Sequence, residues 1–234
     1  MVIETMKDNT SGNEVCGLGY QSLTENTTGS QNNAFGYKSL QDNTTGNHNT
    51  AFGVRSLGNQ QTAHYNTAIG SYSGNGGRLT GDSNTMGGYN TMLATTSGTG
   101  NAAWGRDSLL VNVDGDYNTA IGFQALDGNT SANNNVAIGK NALTAADSGE
   151  DYNIAIGYQA MQLVNNSAAD YNIAIGHSAG ESMTGFMNIV IGTETADNAT
   201  YQADYTVLIG AEINRAGGLT SGADGLIAIG RNSA

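Results

Sequence analysis

The sequence predicts an all-β fold, a repetitive parallel β-solenoid or β-roll of about thirteen coils of about 17 residues each. Three observations predict it. A pentapeptide close to N-T-A-I-G recurs about every seventeen residues, and a fixed period of this size marks stacked repeats. Side chains alternate within the pentapeptide with period two and its Ile and Phe content is high, as in a short strand. No helix-length apolar stripe interrupts the series, and proline is absent, which suits a backbone whose N–H groups are used in ladders.

Taken in order, the copies end at Gly36, Gly53, Gly70, Gly105, Gly122, Gly139, Gly157, Gly176, Gly192, Gly210 and Gly230, with degenerate copies at Gly19 and Gly88. With the terminal Gly as position zero, position −4 is Asn in ten copies, among them Asn49, Asn66, Asn118, Asn135, Asn153 and Asn172. Stacked Asn side chains there would form a ladder that satisfies turn amides. The recurring Gly requires a positive φ or a close backbone approach. Position −1 is Ile or Phe in most copies, and position +4 is often Leu or Met, as at Leu40, Leu57 and Met92. These two are the expected core columns, with Trp104 an enlarged core residue at −1. Position −2 is usually Ala and +3 is nearly always Ser, Ala or Thr, small residues expected at a contact with other copies. The stretch after Gly, such as Y-K-S-L from Tyr37, reads as a second strand. Each repeat is therefore expected to hold two strands and two turns, the turns signalled by clusters such as Asn43-Thr44-Thr45-Gly46.

One repeat cannot bury its own Ile and Leu, but stacked repeats can. Residues 1–234 are thus expected to be one repeat domain that starts and ends inside a repeat. With strands roughly 4.8 Å apart, the stack would be about 60 Å long. Such a thin, Gly-rich coil has little core, so identical chains are expected to share one. The partly cut repeats at both ends suggest a piece of a longer polypeptide, or ends that dock onto other chains.

Net charge is −12, with eight Lys and Arg, which argues against nucleic acid because phosphate binding needs a basic stripe. No segment is long and apolar enough for a membrane-spanning helix, and the first residues lack signal-peptide character. Cys16 cannot form an intrachain disulfide, being the only cysteine, and is read as a small packing residue. His48, His64 and His177 lie in different repeats without metal-ligand spacing. No nucleophile motif is present, and no enzyme activity or cofactor is expected.

Two groups of residues are candidate sites. Asp114, Asp116, Asp147, Glu150 and Asp151 cluster in the later turns. Hard cations such as calcium need six to eight oxygens; the competing reading is solvated turns, since no calcium-loop motif matches. Tyr65, Tyr117, Tyr152, Tyr171 and Tyr205 recur at −5, mostly as Asp-Tyr-Asn, and a second tyrosine column recurs at +1. Exposed aromatics could stack on sugar rings of a receptor; the competing reading is a stacked ladder or an interchain contact. The glycosylation acceptor pattern at Asn9, Asn26, Asn43 and Asn129 recurs because the turn recurs, and is discounted.

Repeats of the form N-T-A-I-G-Y-Q-A-L…N-T-T-G resemble those of bacteriophage tail fibres, notably of cyanophages. They are more distantly similar to the N-S-V-A-I-G repeats in the heads of trimeric autotransporter adhesins such as YadA. The likeness covers nearly the whole chain. It implies a three-fold β-roll assembly: a structural tail-fibre segment, trimeric, serving as a rigid shaft or host-surface contact module in the virion. Implied partners are two further copies, other virion or fibre proteins at the ends, and a host cell-surface glycan. A bacterial trimeric adhesin head at the cell surface is the alternative. A self-assembling filament protein and an ice-binding solenoid are further alternatives; the last would use a lattice of Thr, but −3 is Thr only at Thr50, Thr67, Thr85 and Thr119.

Overall fold

The computed structural model describes residues 4–147, 149–197, 201–214 and 219–233. It is an all-β, parallel β-solenoid whose coils follow the pentapeptide period. The chain divides into two compact units, Met1–Tyr117 and Asn118–Ala234. The first contains β1 (Cys16–Leu18), β2 (Asn33–Phe35), β3 (Thr50–Phe52), β4 (Thr67–Ile69), β5 (Thr85–Gly87) and β6 (Ala102–Trp104). The second contains β7 (Thr119–Ile121), β8 (Val136–Ile138), β9 (Ile154–Ile156), β10 (Ile173–Ile175), β11 (Ile189–Ile191), β12 (Val207–Ile209) and β13 (Ile227–Ile229), with a short 3-10 turn at Ser221–Ala223 before β13. Within each unit, consecutive strands pair in parallel and each repeat position meets its own equivalent, as in Thr50↔Thr67 and Ile154↔Ile173. The step from Gly157 to Gly176 is 19 residues and that from Gly122 to Gly139 is 17. Register survives because the extra residues are taken up in turns, one of them closed by the Ala169 N–H on the Asn166 carbonyl.

Each coil has one strand, not two. The segment after Gly is a turn in which +2 and +4 have positive φ, 54° at Arg55 and 49° at Leu57. That alternation turns successive N–H groups up and down the stack. Arg55 N donates to Tyr37 O of the preceding coil, and Leu57 N to Ser73 O of the next. The coils are thus stitched together here without an extended backbone.

The core also differs from expectation. In a strand, neighbouring side chains face opposite sides. Ala at −2 points into the coil and is fully buried from Ala34 to Ala174, while the larger −1 residues point out. Phe52 is 58% exposed, Trp104 43% and Ile121 41%. Leu79, Val164, Met183 and Tyr201 are also buried in a few coils, but in most a single large side chain fills the interior opposite the strand's Ala. Leu at +4 supplies it and is fully buried, as at Leu40, Leu57, Leu109 and Leu126. Large and small therefore alternate across the lumen. Where +4 is Gly74, the facing −2 residue is Met86, whose Sδ lies 2.8 Å from where a Cβ on Gly74 would sit. Where +4 is Gly180, the next −2 residue is Val190, also fully buried.

The terminal Gly satisfies both of its expected requirements. At Gly139 φ is +136°, and a Cβ would lie 2.3 Å from the carbonyl oxygen of Gly157. The Asn ladder at −4 is present and fully buried. Asn66 N donates to Asn49 Oδ1 at 3.0 Å, and Asn135 N to Asn118 Oδ1 at 3.0 Å. Most of the amide nitrogens donate to the −7 carbonyl of the next coil, as Asn49 does to Ala63 at 2.8 Å. The N-T-T-G turns carry a second ladder, with Asn43 Nδ2 on Asn26 Oδ1 at 2.8 Å. Asn26, Asn43 and Asn129 are fully buried, in keeping with discounting them as glycosylation sites, whereas Asn9 is exposed. The small +3 residues face inward too: Ser56 Oγ donates to Ala68 O at 3.0 Å, and Ser22, Ser39, Ser56 and Ser108 are fully buried. Small residues at −2 and +3 are therefore core, not a contact with other copies.

Candidate interaction surface

With Ala turned inward, the outward face of each unit's sheet is built from −3 and −1. In the first unit the −3 column runs Cys16, Asn33, Thr50, Thr67, Thr85 and Ala102, each on its own strand. The −1 column beside it carries Leu18, Phe35, Phe52, Ile69, Gly87 and Trp104. Phe35 and Phe52 pack with ring centroids 5.8 Å apart. Trp104 folds its ring over Gly87, where a Cβ would come within 2.2 Å of Cε3. The one missing side chain thus receives the one oversized ring. Cys16 stands exposed on this face, so it is not a packing residue. In the second unit Thr119 and Ile121 open the face, and from β8 to β13 both columns are entirely Val and Ile. Among the described residues no charged side chain occupies −3 or −1 of a strand.

Aromatic columns flank the strand on both sides in sequence. The five −5 tyrosines all have positive φ, between 56° and 59°, a conformation that costs a non-Gly residue roughly 1–2 kcal/mol. Coil-to-coil hydrogen bonds hold it: Tyr65 N donates to Asn47 O, and Tyr171 N to Asp151 O. Tyr152 and Tyr171 stack at 4.8 Å with 2° between ring planes. Tyr65 stacks on His48 at 4.7 Å, and Tyr205 meets Phe186 edge-on at 5.0 Å. Tyr117 covers Gly100. Ring faces in the Tyr152–Tyr171 pair are thus turned to each other, while all five side chains remain exposed. At +1, Tyr20 stacks on Tyr37 and Tyr158 on His177, and Lys140 Nζ lies 5.6 Å from the Tyr158 ring centre.

The acidic candidates are dispersed. Among the described residues no group of three or more His, Cys, Asp and Glu could hold a metal ion. Asp116 and Asp151 belong instead to a ladder at −6 that sequence reading missed. Asp116 Oδ1 accepts from Thr99 N at 2.7 Å, and Asp151 Oδ1 from Asn133 N at 2.6 Å. Asp170, Asp204 and Asp224 continue the pattern. His64 joins it through Nδ1, which accepts from Asn47 N at 3.0 Å and so places the proton of the neutral ring on Nε2. The signal was the Asp of the recurring Asp-Tyr-Asn, read as a cation ligand and not as an acceptor for the neighbouring coil's backbone. Asp114 is exposed and Asp147 partly so, but Glu150 is fully buried. The acidic turns as a group are therefore not simply solvated.

Comparison with family models, curated proteins and solved structures found no match. Among the described residues no helix is long and apolar enough to cross a membrane.

Proposed function

We propose that this chain is a non-enzymatic structural module that works as a parallel homotrimer. In this reading it is a rigid segment of a phage tail fibre, located in the virion. The observation that supports it is the outward sheet face: an uncharged, largely apolar surface repeated on every coil. Contiguous exposed apolar patches beyond a few hundred Å² mark interaction sites. Three copies packed on this face would share a second core and gain stiffness. The contact is thus made by −1 and −3 residues and not by the small residues that line each coil. The resemblance of the repeats to tail fibres supplies the biological setting. Other fibre proteins would join at the ends, and exposed tyrosine edges at −5 would contact host glycans, three-fold presentation raising avidity.

Sedimentation equilibrium of the purified chain tests the core of this reading. The expected mass is three times 24.0 kDa. A monomer persisting at micromolar concentration would refute it. Glycan-array binding that weakens on Tyr152→Ala and Tyr171→Ala would support the contact role, and no binding would limit the module to a shaft.

A further inference from the structure

The outward face is not uniform. At −3 the first unit presents Asn33, Thr50, Thr67 and Thr85, whereas β8–β13 present only Val and Ile at both −3 and −1. None of these second-unit side chains is needed inside its coil, because Ala137, Ala155, Ala174, Val190 and Leu208 fill that role and are fully buried. On the last strand Ile227 and Ile229 are each 68% exposed; Ile209 is 37% exposed, and the other −3 and −1 side chains of β8 to β12 are half-buried by their neighbours along the stack.

We propose that this aliphatic face of β8–β13 is where copies of the chain bind each other, and that the Thr-bearing face of the first unit contributes little to assembly. The proposal rests on the multi-copy reading above and adds which residues carry it. Six strands about 4.8 Å apart, each three residues long at roughly 3.3 Å per residue, give a flat patch of about 300 Å² before the flanking columns are added. That is already the size of the largest patch on a typical monomer. A second copy is the occupant that fits. Every copy's face has the same ridge spacing, so side chains of the copies around the axis can interdigitate strand by strand. The chain carries −12 overall, and a homotypic contact is favoured only where charge is absent, as it is here. A Thr in that contact would bury a hydroxyl, which is unfavourable unless it finds a partner.

The test compares full-length variants by mass photometry and sedimentation velocity, with circular dichroism to confirm the fold. Ile173→Glu should raise the concentration for half-assembly by about a hundredfold or more, since it leaves an unpaired carboxylate in the contact. The double variant Ile154→Thr with Ile173→Thr borrows the residue that the first unit uses at −3, so its coils should fold; it should weaken assembly by about tenfold or more. Thr67→Glu in the first unit should change it by less than about threefold. Wild-type assembly by the Thr double variant would overturn the proposal, as would a Thr67→Glu effect equal to that of Ile173→Glu. If Ile173→Glu fails to fold, the Thr double variant decides. A wild-type chain that is monomeric would instead refute the multi-copy reading itself, and this proposal with it.

Discussion

At the scale of single residues, one step of strand parity governs the protein. Ala120 is fully buried while Ile121, its neighbour on β7, is 41% exposed. Ala120→Leu should therefore overpack the lumen and lower stability by about 1–3 kcal/mol. Ile121→Ser should cost an isolated chain less than about 1 kcal/mol. Thermal melts of the two variants, taken at concentrations below assembly, check the order; a larger loss at Ile121 would return the core to −1. Gly139 allows a similarly sharp expectation. Its φ of +136°, and the Gly157 oxygen 2.3 Å from where a Cβ would sit, exclude any side chain. Gly139→Ala should cost about 3 kcal/mol or more, read from its denaturation midpoint. Tyr201 sets a pH expectation. It is fully buried, its hydroxyl bonded to Thr206, and burial pushes its pKa up to about 12 from 10.0. The folded state thus holds the proton that the unfolded chain loses first. This contribution is whole below pH 10 and is lost as pH rises toward 12. Tyr201→Phe should flatten the fall in melting temperature over that window, and an unchanged slope would contradict it.

At the scale of the coil, the unit of stability is the pairing of a large and a small residue across the lumen. Gly74 lies between Leu57 and Met86, whose Cδ2 and Sδ are each 2.8 Å from where a Cβ on Gly74 would sit. Met86→Ala should open a cavity beside Gly74 and cost about 2–4 kcal/mol. Adding Gly74→Leu restores the arrangement of the standard coil, since Leu at +4 elsewhere already has φ near 50°. The double variant should recover most of the loss, and a double-mutant cycle measures the coupling. Additive losses would show that the two positions do not compensate. Polar ladders complete the coil. The Asn at −4 and −10 and the mostly polar residue at −6 each satisfy backbone groups that a tight turn leaves unpaired. One hydrogen bond of this kind is worth about 1 kcal/mol, and its repetition from coil to coil is what specifies the stacking register.

At the scale of the whole molecule, the balance lies between an uncharged sheet face and a chain of net charge −12. Bringing copies together buries the first and crowds the second. Salt screens the repulsion over about 10 Å at 0.1 M and leaves aliphatic burial largely intact. Raising ionic strength from low to physiological should therefore strengthen assembly, seen as a lower concentration for half-assembly in light scattering. Weaker assembly with salt would mean that ion pairs, not aliphatic packing, hold the copies together.

The solenoid, its period, the Gly register, the buried Asn ladder and the Leu column at +4 were legible in the residues themselves. Each repeats at a fixed spacing, and stacking converts spacing directly into contact. Alternation across the pentapeptide likewise revealed two faces of a strand. It could not say which face is inside, because hydrophobicity favours Ile while in most coils the inward position takes Ala. That choice depends on the width of the lumen, set by Leu57 and its equivalents reaching across from the far side of the coil. The missing second strand has a similar cause: nothing in Y-K-S-L announces that Lys38 and Leu40 adopt positive φ, since only the hydrogen bonds to the coils above and below compensate its cost. The same holds for Asp116 and Asp151, which looked like cation ligands in the linear chain. Stacking separates them by coil and commits their carboxylates to backbone amides of the neighbouring turn.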